Sequence, residues 1–181
     1  MNISVIGGDL RIIELAKLFD KNGDNVCLLG FENLEEKILE NSKITKITTL
    51  NNSVKTADLV ITSIPISKDG KYINSPYSNE KIVVKELFEL TKNKKIITGN
   101  VTEKIQECIN KNNNNEIIDI LKLEELAIKN SIPTAEGAIQ IAMEKSLITI
   151  HNSNCLILGF GRIGKILAKM LKGMGANVYC E

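Results

Sequence analysis

Apolar residues fall along this chain in short, β-branched runs separated by longer amphipathic stretches. Ile3 to Ile6, Val26 to Leu29, Leu59 to Ile64, Lys95 to Thr98 and Ile117 to Leu121 each end near Gly, Pro, Asn or Asp, the pattern of buried parallel strands. Between them lie helical patterns, clearest in Ile12, Leu15, Ala16 and Phe19, whose spacing of three and four puts one apolar stripe on a helix. Strands alternating with helices predict right-handed crossovers and a doubly wound, parallel-sheet α/β domain over residues 1–129, its regular pattern ending near Ala127.

A different pattern begins at Asn130-Ser131-Ile132-Pro133-Thr134-Ala135-Glu136-Gly137. Pro133 suits the first turn of a helix, and Ile139, Ala142, Met143 and Leu147 continue it with an apolar face, so residues 130–150 are expected to form a helix linking two domains. After His151-Asn152-Ser153-Asn154 come a strand start at Cys155 to Leu158, a glycine loop, a helix from about Arg162 to Met174 and a strand from Asn177 to Cys180. Residues 151–181 therefore predict the first βαβ unit of a Rossmann dinucleotide-binding domain. Such a domain normally buries this unit under several more strands, so the chain is expected to be a fragment that is inactive by itself, rather than one whose last element packs unusually.

The glycine loop, Gly159-Phe160-Gly161-Arg162-Ile163-Gly164, has the strand before it, the helix after it and the second strand in place that the G-x-G-x-x-G pattern requires. Gly159 permits the tight turn, Gly161 lets backbone approach a pyrophosphate, and Gly164 lets helix and strand pack closely, while the helix N-terminus offers free amides to the anion. Arg162 is a candidate phosphate contact. Glu181, seventeen positions after Gly164, stands near where an acidic residue grips the ribose 2′-hydroxyl of NAD, although a basic residue beyond it would turn the preference to NADP. The cofactor expectation is therefore NADP or NAD, and the alternative is a glycine turn in a nucleotide-free fold.

Gly7-Gly8-Asp9-Leu10-Arg11 follows the first strand like a second nucleotide loop, but it lacks the third glycine and puts the negative Asp9 where phosphate would sit. Phosphate is not expected there. Ligands of open α/β sheets bind beyond the carboxyl ends of the strands, where Arg11 could hold a carboxylate bidentately; otherwise Asp9 caps the helix and Arg11 is solvated. The Ser63-Ile64-Pro65-Ile66-Ser67 loop and Gly99-Asn100 occupy equivalent edge positions, which makes Pro65 and Asn100 substrate-side candidates. Ser131, Thr134 and Glu136 would face the cleft where two domains meet, with Glu136 as a proton acceptor or a helix-capping carboxylate. His151, the only histidine, is either a proton shuttle or a structural hinge residue.

Composition narrows the partners. The 181 residues are 43% hydrophobic and 25% charged with a net charge of +1, the profile of a globular protein. Dispersed, balanced charge favours neither nucleic acid nor an anionic membrane, which leaves small molecules and proteins. Cys27, Cys108, Cys155 and Cys180 lie far apart without metal spacing and read as reduced core residues; no metal site is expected. With no membrane-length apolar run and no signal segment at Met1, the expected compartment is the cytoplasm. The run Asn112 to Asn115 reads as a surface turn or as a trace of genome composition.

Taken in order, the Gly7 to Arg11 loop, the Asn130 to Gly137 segment and Thr149 to Asn154 followed by the glycine loop resemble the A subunit of dipicolinate synthase along the whole chain. Gly30-Phe31, the Pro65 loop and Ser78-Asn79-Glu80 support the likeness. The resemblance implies a sporulation enzyme of endospore-forming bacteria that works in the mother cell with a flavoprotein-like B subunit. It implies oxidation of a dihydrodipicolinate intermediate to pyridine-2,6-dicarboxylate with NADP or NAD, by a protein that continues well past residue 181. For such a planar dicarboxylate Arg11 is the expected clamp, and Glu136 and His151 are the candidate bases. A homo-oligomer is a further expected partner state. The alternatives are a D-2-hydroxyacid or alanine dehydrogenase-like oxidoreductase, and a sensor module that binds a nucleotide without catalysis.

Overall fold

Six parallel strands form one sheet in the first part of the chain: β1 (Asn2–Ile6), β2 (Asn25–Leu29), β3 (Thr45–Ile47), β4 (Leu59–Thr62), β5 (Lys95–Thr98) and β6 (Glu116–Asp119). Their spatial order is β3-β2-β1-β4-β5-β6, in which the direction of winding reverses between β1 and β4. The computed structural model describes residues 1–109 and 113–181, and it divides into two compact units, Met1–Ile120 and Leu121–Glu181.

Alternation along β1 shows why the first unit is doubly wound. Ile3 and Val5 pack on one side of the sheet with Ile12, Ile13 and Ala16 of α1 (Leu10–Lys21). Ile6 packs on the other with Val84, Leu87 and Phe88 of α3 (Val84–Leu90) and Ile105 of α4 (Glu103–Cys108), and α2 (Leu50–Lys55) contributes Val54 to the same layer. The stripe predicted from Ile12, Leu15, Ala16 and Phe19 is the face of α1 that is buried or half-buried.

The five predicted strands are all present, with two changes at their ends. The run from Leu59 stops at Thr62, where Ser63 turns its hydroxyl onto the Ile66 carbonyl (3.1 Å); the Ile64–Pro65 peptide that follows is cis. The last run stops at Asp119, and Ile120–Lys122 winds into a 3-10 turn. β3 has no counterpart among the predicted strands: it is a three-residue edge strand, Thr-Lys-Ile, paired to β2 on one side only, and so carries no continuous apolar run.

The second unit opens with α5 (Glu124–Lys145). Pro133, expected in the first turn, lies inside this helix, which begins nine residues earlier with Glu124 and Glu125 in its first turn, where carboxylates favour the positive end of the helix dipole. Of the expected apolar face only Ile139 joins the core; Met143 and Leu147 are exposed. β7 (Asn154–Ile157), α6 (Arg162–Gly173) and β8 (Asn177–Cys180) make the predicted parallel βαβ unit, with a core of Ile150, Ile157, Leu171 and Ala176. The four cysteines are free thiols; three are half-buried, but Cys180, at the end of β8, is exposed rather than in a core. Among the described residues, no helix is long and apolar enough to cross a membrane.

Candidate functional site

The carboxyl edge of the six-stranded sheet is stitched together by backbone hydrogen bonds. Gly8 N–H donates to the Asn74 carbonyl (2.9 Å), Asn74 N–H to the Ile66 carbonyl (2.9 Å), and Ile66 N–H to the Gly99 carbonyl (2.9 Å). The loops after β1, β4 and β5 are thereby joined through the long connection from β4 to α3. Beneath them the Thr62 hydroxyl donates to the Thr98 hydroxyl at 2.7 Å, both side chains being fully buried. The Pro65 and Asn100 candidates, separated by a whole strand and helix in sequence, belong to one ridge.

The same connection explains the glycines after β1. A Cβ on Gly7, at φ +63°, would lie 2.9 Å from the Asn74 carbonyl oxygen, and one on Gly30 would lie 2.9 Å from Ile82. Both loops need glycine because the chain's own segment presses on them, which accounts for a glycine pair without a phosphate to bind. The Gly30 loop is held further by the Asn33 amide on Asn79 (2.8 Å) and by Asn79 N–H on the Glu32 carboxylate (3.1 Å). Gly30-Phe31 and Ser78-Asn79-Glu80, the supporting segments of the sequence likeness, thus meet in space.

Asp9 is the N-cap of α1 and accepts from Arg11 N–H at 3.0 Å. Its carboxylate also takes the Arg11 guanidinium, from Nη2 at 2.7 Å and from Nε at 3.1 Å. The hydrogen-bonded guanidinium holds the Asp9 carboxyl below its ordinary range, and Asp9 raises Arg11 in turn. Arg11 is thus both exposed and anchored: 78% of its side-chain surface is open, while Nε and Nη2 are occupied. Asp69 in the connection is held to about 2, because its Oδ1 accepts from Tyr72 N–H (2.9 Å), Lys71 N–H (2.8 Å) and the Ser67 hydroxyl (3.0 Å).

Asp119 carries no mark in the sequence that singles it out. It ends β6 in register with Thr98, and its two oxygens receive Asn100 N–H (3.0 Å) and Val101 N–H (2.9 Å). Asn74 escapes sequence reasoning in the same way. Only tertiary pairing brings either to the ridge, so no local signal marks them.

In the second unit the glycine loop makes a tight turn onto the start of α6. Gly159 sits at φ +96° and donates its N–H to the Glu181 carbonyl at 2.7 Å, closing the turn against β8. A Cβ on Gly164 would overlap the Gly159 carbonyl oxygen, so helix and loop are in direct backbone contact. A Cβ on Gly161 would meet nothing within 4 Å, and Gly161 caps α6 with no side chain of the described residues bonding to the first-turn amides. Those amides and that open space fit a dinucleotide phosphate. Ile163 and Glu181 are exposed beside them. Arg162 is engaged elsewhere, its Nη1 donating to Glu124 at the start of α5 (2.7 Å).

The remaining candidates lie in the same unit but not in the glycine loop. Ser131 is buried with its hydroxyl on the Ile128 carbonyl, and Thr134 bonds the Asn130 carbonyl at 2.7 Å, so both hydroxyls serve α5 around Pro133. Glu136 is exposed on α5. His151 is exposed with its ring against Gly175, where any side chain would strike it, and Asn152 N–H bonds the Gly175 carbonyl (2.9 Å).

Residues 2–121 match the model of the family described as the N-terminal domain of the dipicolinate synthase A subunit. The A subunit of dipicolinate synthase from Bacillus subtilis (strain 168) is 27% identical over 179 residues, covering 98% of this chain and 59% of that protein. The crystal structure of the Bacillus halodurans A subunit superposes with a TM-score of 0.84 at 29% identity, over 99% of this chain and 60% of the other. That of the Bacillus subtilis protein gives 0.81 at 26% identity, with the same coverage. The chain therefore spans about three-fifths of the length of these relatives. By the match over most of its length, the chain belongs to the family of N-terminal domains of the dipicolinate synthase A subunit.

Proposed function

We propose that this chain supplies the substrate-side domain and the first nucleotide-binding elements of an NAD(P)-dependent oxidoreductase. Its reaction is the oxidation of dihydrodipicolinate to pyridine-2,6-dicarboxylate during sporulation, together with a B subunit. The observation that carries the oxidoreductase reading is the Gly159–Gly161–Gly164 geometry, a closed turn with uncapped helix amides over open space. The family supports the substrate.

The dinucleotide, when bound, supplies the hydride acceptor. Gly159, Gly161, Ile163 and Gly164 would hold its pyrophosphate through backbone, and Glu181 would meet the ribose of NAD. On the substrate side, Arg11 takes a carboxylate. Its anchoring by Asp9 fixes the guanidinium before the ligand arrives, so less side-chain freedom is lost on binding. The ring of dihydrodipicolinate loses a hydride and a proton and becomes aromatic, and Glu136 or His151 accepts the proton.

The test is reduction of NADP and NAD by the protein that carries this chain, assayed with the B subunit on dihydrodipicolinate, on lactate-type substrates and on amino acids. Reduction is expected with dihydrodipicolinate. Reduction with a hydroxy acid alone would sink the proposal in favour of a D-2-hydroxyacid dehydrogenase-like enzyme. Arg11→Ala is expected to weaken dicarboxylate binding by about 1.5–3 kcal/mol, the scale of a lost charged hydrogen bond, and Arg11→Lys to restore little of it, since an ammonium cannot reproduce the fork.

A further inference from the structure

The loop after β5 differs from those after β1, β2 and β7. Each of those turns through a glycine at positive φ, Gly7, Gly30 or Gly159, whereas the β5 loop turns through Asn100 at φ +64°. That backbone region penalises a Cβ, which glycine avoids. Asn41, Asn93, Asn114 and Asn152 share the conformation, so it marks nothing alone. What separates Asn100 is its surroundings. Among the described residues it is the one asparagine of the five whose N–H is received by a carboxylate, Asp119 Oδ1 at 3.0 Å, while Oδ2 takes the next N–H, that of Val101, at 2.9 Å. On its other side Gly99 is tied to Ile66, beside Pro65. The Asn100 side chain is exposed at the carboxyl edge, and no hydrogen bond to another described residue holds its amide.

We propose that Asp119 is a positioning residue, which grips the Asn100–Val101 backbone so that the Asn100 side-chain amide donates to a carboxylate of a small dicarboxylate ligand. The inference rests on the dicarboxylate substrate proposed above. Two charge-assisted bonds from one carboxylate fix both the place and the tilt of the loop, which a single neutral bond would not. The amide then offers its N–H donors to one acid group of the ligand.

Titration calorimetry of the full chain with pyridine-2,6-dicarboxylate, and with pyridine-2-carboxylate as the single-acid comparator, tests this. Asn100→Gly keeps the backbone conformation and deletes the amide. It is expected to leave the melting temperature unchanged or raised while the Kd for the diacid rises roughly tenfold. Asp119→Asn, which retains one acceptor, is expected to weaken binding by less than Asp119→Ala. Equal affinity of Asn100→Gly and the parent chain would overturn the inference, as would no binding by the parent at millimolar diacid. So would Asp119 variants that melt earlier yet bind alike. The two proposals fail separately. In the enzyme that carries this chain, an unaltered KM for dihydrodipicolinate in Asn100→Gly removes only this inference. Diacid binding that Asn100→Gly loses, without any turnover of dihydrodipicolinate by the parent enzyme, removes only the reaction.

Discussion

A side chain at Gly164 would occupy the space of the Gly159 carbonyl oxygen, whereas one at Gly161, three residues earlier, would meet nothing. The two glycines therefore serve different ends. Gly164→Ala must push α6 off the loop, and overpacking of this kind costs about 1–3 kcal/mol. Hydrogen exchange across residues 154–180 is expected to accelerate in that variant. Gly161→Ala, at an ordinary φ of −80°, is expected to cost no more than about 1 kcal/mol, since alanine is a poorer N-cap than glycine, while weakening nucleotide binding, because its methyl enters the space the phosphate needs. Parallel melting and NAD(P) titrations separate the two; equal loss of stability in both variants would contradict the assignment.

Asp69 makes the β4–α3 connection sensitive to acid. Its carboxyl is held at about 2, against an ordinary 3.8, by the N–H groups of Tyr72 and Lys71 and the Ser67 hydroxyl. A folded pKa below the unfolded one means that the carboxylate supports the folded segment fully above about pH 4 and loses that support as pH falls toward 2. The carboxyl carbon resonance should titrate near pH 2, and amide exchange at Lys71 and Tyr72, corrected for its intrinsic pH dependence, should rise across the same window. Asp69→Asn should abolish that dependence.

Asn113, as part of the Asn112 to Asn115 run, is expected from sequence in a surface turn. Asn112 lies outside the described residues, but Asn113 is buried, and its amide donates to the carbonyls of Phe88 and Thr91, both at 2.8 Å. It closes the C-terminal end of α3, whose last carbonyls lack helical partners. Asn113→Ala takes this donor from the Phe88 carbonyl, while the Thr91 carbonyl keeps the Asn115 amide (3.1 Å), and is expected to cost about 1–3 kcal/mol, read as a lower melting temperature. A change below 0.5 kcal/mol, the usual range of about ±0.5 for exposed sites, would restore the surface reading.

Most of the architecture was legible in the order of residues because its causes are local. A buried parallel strand must be apolar on both faces, so β1, β2, β4 and β5 stand out as runs; of the two half-buried edge strands, β6 stands out only through its Ile117-Ile118 pair, and the three-residue β3 does not. The glycine loop was legible for the same reason: turn, close approach and helix packing each demand glycine at a set spacing. Helix ends were less so. Pro133 resembled a start, but α5 gains enough from its packing on the βαβ unit, and from hydroxyls that bond carbonyls near the proline, to run through it.

Long-range pairing alone decided what the candidate edge of the sheet is made of. From sequence, Gly7-Gly8 looked like half of a phosphate loop; in the fold it is the seat of Asn74, sixty-six residues beyond Gly8. Arg11 and Asp9 were both visible as candidates, yet only their geometry shows a guanidinium already anchored. Asp119 carried no signal at all, because its partners at Asn100 and Val101 come within reach only when β5 and β6 pair in register. Hydrophobic burial, which repeats along the chain, specifies the layers of this protein from its sequence; hydrogen bonds between distant loops, which do not repeat, form only in the assembled fold.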